Sequence, residues 1–114
     1  MPTFIAQGRF TRDAVRGMTS TPEDRSEAVS ALFESLGGKM ISWYLTTGEY
    51  DWFIVAEAPS QDVVVAASII ATGGGGVTDI KTSAAWTGPE AKAIFGKARK
   101  AAGSFKSAGM PVGS

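Results

Sequence analysis

A chain of 114 residues, 44% hydrophobic and 19% charged, has the size of one domain and hides about two-thirds of its extended surface on folding, so its core needs no disulfide or metal. Eleven Lys and Arg balance eleven Asp and Glu, which removes the overall field of a general nucleic-acid binder. The sequence contains no His, Cys or Asn; Ser-His-Asp triads, Cys nucleophiles, His or thiolate metal sites, disulfides and N-glycosylation are excluded together.

Residues 3–10 alternate as a strand, with Phe4, Ala6, Gly8 and Phe10 on one face and Ile5, Gln7 and Arg9 on the other. A connection over residues 11–20 follows. Thr21 then offers a helix cap and Pro22 suits the first helical position, with Glu23 and Asp24 where the dipole favours negative charge. Val29, Leu32, Phe33 and Leu36 form one apolar stripe, and Gly37-Gly38 stops the helix. Residues 39–47 and 50–58 are rich in aromatic and β-branched residues, and Gly48-Glu49 suits a tight hairpin between them. Residues 60–72 lack alternation and read as a second helix despite the β-branched run Val63-Val64-Val65. Gly73 to Gly76 end it, residues 77–86 form a fourth strand, and Pro89 begins a third helix.

The order β-α-β-β-α-β with a C-terminal helix defines an α+β chain of the ferredoxin-like split arrangement. Its strands carry a further message. The third places Trp52, Ile54 and Ala56 on one face and Phe53 and Val55 on the other; the second places Ile41, Trp43 and Leu45 opposite Met40 and Tyr44. A sheet covered on one side by helices should be polar on the other. Apolar residues on both faces therefore predict a homodimer or higher oligomer in which two sheets stack and close a two-chain α/β barrel.

At the hairpin, Gly48-Glu49-Tyr50-Asp51 matches the Gly-x-Tyr-Asp signature of the GYD family of small bacterial and archaeal proteins. The sequence resembles that family from Pro2-Thr3-Phe4 through Thr21-Pro22, Leu36-Gly37-Gly38-Lys39, Tyr44, Glu57-Ala58-Pro59 and Gly76-Val77-Thr78 to about Ala98. The resemblance implies a dimeric α/β barrel built on the ferredoxin-like unit, in a family without an established activity. Residues 1–100 form the GYD-like domain in this reading, with the start of the C-terminal helix, and residues 101–114 a flexible Gly, Ser and Lys tail.

The candidate groups follow from what the composition leaves. Tyr50 and Asp51 follow a turn, where Asp commonly accepts local backbone hydrogen bonds; their functional use would be a phenolic donor and a general base or ligand acceptor. Arg9 on the first strand and Lys81 on the fourth would make a cationic patch balanced by Asp79, or else Arg9 and Asp79 form a plain cross-strand salt bridge. Arg9, Tyr50 and Asp51 are expected to border one pocket for a small anionic or aromatic molecule, with Tyr44 and Lys81 beside it. No catalytic residue, metal or cofactor is assigned. The glycine run precedes a strand, whereas phosphate loops precede a helix, so it reads as a connection.

Charge is uneven: Lys92, Lys97, Arg99, Lys100 and Lys106 face only Glu90 near the end of the chain. With the stripe Ala91, Ile94, Phe95, Ala98, Ala102 and Phe105 they describe an amphipathic helix that ends between Arg99 and Gly103 and packs on its own barrel. No leader pattern follows Met1 and no apolar run reaches bilayer length, so the cytoplasm is the expected compartment, with neither membrane nor nucleic acid as partner. The function expected is that of a small homo-oligomeric module binding a small metabolite or a protein partner. The alternative is a cofactor-independent monooxygenase or isomerase acting on an aromatic or enolisable substrate, by analogy with other dimeric barrels.

Overall fold

The computed structural model describes residues 1–113. Four strands, β1 (Thr3–Phe10), β2 (Lys39–Leu45), β3 (Trp52–Glu57) and β4 (Val77–Ala85), form one antiparallel sheet in the order β2-β3-β1-β4. Helices α2 (Arg25–Ser35) and α3 (Gln61–Gly73) make the two crossovers of the ferredoxin-like unit. The core lies between them and one face of the sheet: Phe4 and Ala6 from β1, Trp52, Ile54 and Ala56 from β3, Phe33 from α2, and Val64 and Ala67 from α3 are all buried. Alternation on β1 and β3 sends these residues inward and Ile5, Gln7, Phe53 and Val55 outward.

Two elements depart from the sequence expectation. Residues 12–20 form a helix, α1 (Arg12–Ser20), because Thr11 caps it: its hydroxyl accepts from Ala14 N. Thr11 also anchors this start to the glycine run, donating from its backbone to Gly76 O and from its hydroxyl to Gly75 O. Pro22 then forces the preceding residue out of helical geometry, and Thr21, at φ −135° and ψ 87°, ends α1 instead of starting the next helix. Asp24 is the working cap of α2. Its carboxylate accepts from Ser26 N and Ser26 Oγ, which holds its pKa below the ordinary carboxylate value.

Both edge strands contain irregularities that re-aim side chains. On β2 the register shifts between Met40 and Ser42, so Met40, opposite Ala56, joins Trp43, opposite Ile54, against the core. The expectation that Met40 lies with Tyr44 on the outer face is thereby corrected; Ile41, in the bulge, stays exposed. On β4 the shift opposes Asp79 and Ile80 to Gly8, since Gln7 faces Lys81 while Arg9 faces Thr78. Asp79 takes φ 52° there, a left-handed conformation that Asp tolerates better than most residues. Thr78, Lys81 and Ser83 are therefore the outer-face register partners on β4, and Asp79, expected beside Lys81 as its balancing charge, is not among them.

The last helix, α4 (Gly88–Ala102), has a complete capping box: Thr87 Oγ1 accepts from Glu90 N, and a Glu90 carboxylate oxygen accepts from Thr87 N at 2.8 Å. Its end at Ala102 falls inside the expected interval. Its placement does not meet the expectation. No residue of α4 is buried, Phe95 is 73% exposed, and the helix projects from the sheet, stretching the molecule to 63 × 30 × 22 Å. The radius of gyration is 18.7 Å, where a compact chain of this length measures about 13 Å. Beyond α4, Lys106 and Val112 form an isolated antiparallel bridge.

The capping box makes α4 acid-sensitive. The hydrogen bonds from Thr87 lower the Glu90 pKa from its ordinary value near 4.5. A carboxylate whose folded pKa is depressed contributes stability above the unfolded pKa and loses it as pH falls through the folded one. Helical ellipticity is expected to decline as pH drops below about 4.5, and Glu90→Ala should remove that step from an acid titration followed by circular dichroism.

Candidate functional site

The residues singled out by sequence gather at one end of β1 and across the outer face of the sheet. The β2–β3 connection runs from Thr46 to Asp51, longer than the expected two-residue turn, and Gly48 occupies φ 101° within it. Thr46 closes the loop: its backbone donates to Asp51 O and its hydroxyl to Tyr50 O, each at 2.8 Å. Asp51 ties the loop to β1, donating from its backbone to Gly8 O at 2.8 Å and accepting from Phe10 N on Oδ2 at 2.9 Å. Arg9 adds a third tie, with Nε donating to Glu49 O at 2.8 Å. The signature thus brings Arg9, Tyr50 and Asp51 into one neighbourhood. Arg9 makes no salt bridge with Asp79; among the described residues the one ion pair is Arg25 with Glu23, at 3.5 Å on the surface.

Tyr44 and Lys81 stand further along the same face. Tyr44 pairs with Phe53, Phe53 with Gln7 and Gln7 with Lys81, so one rung crosses all four strands on the side away from α2 and α3. The next rung is Ser42, Val55, Ile5 and Ser83. The face is apolar at its centre, where Ile5, Phe53 and Val55 are half-buried by their neighbours, and carries the exposed Tyr44, Arg9 and Lys81 around that centre.

The sequence did not indicate a concavity on the helix side of the sheet. A cavity of about 390 Å³ opens on the other side of the sheet, between α2 and α3, where Phe10, Val29, Leu32, Trp43, Ile70 and Ile80 line it. Trp52 lines it too, 5% exposed, and its indole N–H is buried without a hydrogen-bond partner. A second hollow of about 230 Å³ lies beside it under Ala14 and Met18 of α1, and Arg25 borders both. None of Arg9, Tyr44, Tyr50, Asp51 or Lys81 lines either space. The signal available in the sequence was α3 itself, whose Val65, Ile69 and Ile70 are exposed although Asp62 is its single charged side chain.

A split β-α-β-β-α-β sheet with both helices on one face defines a ferredoxin-like α+β domain. Its family follows from comparison. The GYD domain model matches residues 4–95, and the chain belongs to that family. It is also similar to a Thermus thermophilus protein named glutamine synthetase and cystathionine beta-lyase binding protein, with 30% identity over 69 residues, 60% of this chain and 73% of that protein. A solved structure from Thermus thermophilus is similar at a TM-score of 0.47 and 20% identity, covering 76% of this chain and 95% of the other. Among the described residues no helix is long and apolar enough to cross a membrane.

Proposed function

We propose that the chain is a cytoplasmic binding module without chemistry of its own, which pairs with a second copy through the helix-free face of its sheet and docks in that form on a protein partner. The observation that carries this reading is the apolar centre of that face. Ile5, Phe53 and Val55 sit on strands whose opposite face already holds the core, and an antiparallel sheet left to water on one side would be polar there. Stacking a second sheet about 10 Å away covers them and closes the barrel. The binding role of the Thermus relative, as its name states it, supports a protein partner.

In the same reading the outer face also holds a small anionic or aromatic molecule. Arg9 and Lys81 supply cations, Tyr44 and Tyr50 supply rings and hydroxyls, and Asp51 supplies an acceptor at the margin. The terminal guanidinium nitrogens of Arg9 have no protein partner among the described residues, so they are available to an anion.

Phe53→Glu tests the pairing. Its side chain lies outside the core, so the fold should persist, while a carboxylate brought into the stacked face would be desolvated. The expected result is self-association weakened at least ~10-fold, about 1.4 kcal/mol, in sedimentation equilibrium, with unchanged far-UV circular dichroism. A well-folded wild-type monomer at micromolar concentration, or a variant that associates as tightly as wild type, would sink the reading.

A further inference from the structure

Two features of the chain complement each other. The first is α4, fifteen residues long, rigidly started by its capping box and Pro89, with Ile94 and Phe95 exposed on an apolar stripe. An isolated helix of this length is marginal in water and draws its stability from packing. The second is the acceptor formed by α3 and the cavity beside it. Ile69 is 67% and Ile70 52% exposed, the cavity holds about 390 Å³ of apolar-lined space, and a helix that is apolar around most of its circumference is one that has neighbours on several sides.

Charge points the same way. Helix α2, the turn before it and α3 together carry Glu23, Asp24, Glu27, Glu34 and Asp62 against Arg25; of these, Arg25 lines both hollows and Glu23 the smaller one. The arm carries Lys92, Lys97, Arg99 and Lys100 against Glu90. The chain's overall neutrality thus divides into a net acidic helix pair and a net basic arm, and such a long-range difference steers one surface to another.

Topology decides whose arm fills the acceptor. The cavity's lining reaches Phe10, Gly74, Gly76 and Val77, at the end of the sheet where β1 finishes and β4 begins, and takes no β1 or β3 residue beyond Ala6 and Ile54 toward the other end. The arm leaves from the opposite end, where Ala85 of β4 pairs with Thr3 of β1. Only Trp86 and Thr87 join β4 to α4, and Thr87 is committed to the cap. The arm is therefore directed away from its own cavity. We infer that α4 is an exchange arm whose Ile94 and Phe95 stripe docks on α3 and into the α2–α3 cavity of a second copy of this chain. This contact uses the opposite side of the sheet from the pairing face and does not depend on it.

The lack of native cysteine makes a clean test. Ile94→Cys and Ile70→Cys are prepared as separate full-length proteins, one isotopically labelled, mixed in equal amounts and treated with a short bis-maleimide. Docking predicts that the linked product is mostly the mixed pair, above the half that random pairing gives, and that the excess shrinks in high salt as the opposite net charges of the helix pair and the arm are screened. A mixed pair at or below half of the product overturns the inference. So does the double variant Ile70→Cys/Ile94→Cys if it links within single chains at high dilution and leaves no intermolecular product at micromolar concentration. Phe53→Glu in the same background separates the two contacts: a persisting mixed pair supports arm exchange even where sheet pairing fails, and its loss shows that the arm has no contact of its own.

Discussion

Gly8→Ala is expected to destabilise the domain by about 3 kcal/mol, at the upper end of the usual range for overpacking a core. A Cβ at this position would lie 2.5 Å from Trp52 Cζ2 and 3.1 Å from the carbonyl oxygen of Thr78. Neither neighbour yields easily. Trp52 is register partner to Gly8 and buried between the sheet and the helices, and Thr78 O is backbone beside the β4 bulge. The melting temperature should fall by more than ~10 °C. A shift within ~2 °C of wild type would show that the indole has room to move. Trp52→Phe supplies the second corner of a double-mutant cycle: removing the part of the ring nearest the new methyl should recover part of the loss, with a coupling energy of roughly 0.5–3 kcal/mol. The same substitution deletes the indole N–H that has no partner, which makes Phe a mild change at this site.

Gly8 also marks where the sequence ceased to be informative. Its place on the inward face of β1 follows from alternation with Phe4 and Ala6. Its reason, the approach of Trp52, needs the β1–β3 register, which no local pattern contains. The two bulges are of the same kind. Met40 and Asp79 change face because one strand gains a residue against its neighbour, an event invisible to period-2 counting. The crossover order, the start of α4 beside Pro89 and the helix end at Ala102 were legible because topology, proline placement and periodicity agreed there. Helix α1 was missed for the opposite reason: Ala14, Val15 and Met18 make a narrow stripe, none of it buried, so the Thr11 cap was the main local signal. At the candidate site the bonds that tie the loop to β1, from Arg9 Nε to Glu49 O and from Phe10 N to Asp51 Oδ2, depend on the same β1–β3 register, and the α2–α3 cavity arises from the spacing of two distant helices.

Asp51→Ala should cost about 1–3 kcal/mol, since Phe10 N would lose its acceptor in a half-buried position where the carboxylate now stands at 2.9 Å. The loss is expected to be local first. Hydrogen exchange at Phe10 should quicken together with exchange at Thr46, whose N–H is held by the carbonyl of Asp51, before exchange in the buried centre of β3 is affected. Asp51→Asn separates the two uses of the side chain. The amide oxygen can still accept from Phe10 N, so folding should survive with a smaller loss than for Ala. Among the described residues Oδ1 of Asp51 has no hydrogen-bond partner, so one carboxylate oxygen can hold the loop while the other meets a ligand. If Asp51 serves a bound molecule, the Asn variant keeps the melting temperature close to wild type and loses affinity, because the charge and the second acceptor are gone. If it serves only the loop, both variants bind as wild type does and differ in stability alone. Arg9→Gln gives the matching measurement on the cation: its Nε bond to Glu49 O is exposed, so stability should change little, and undiminished binding of small carboxylates would remove Arg9 from the site.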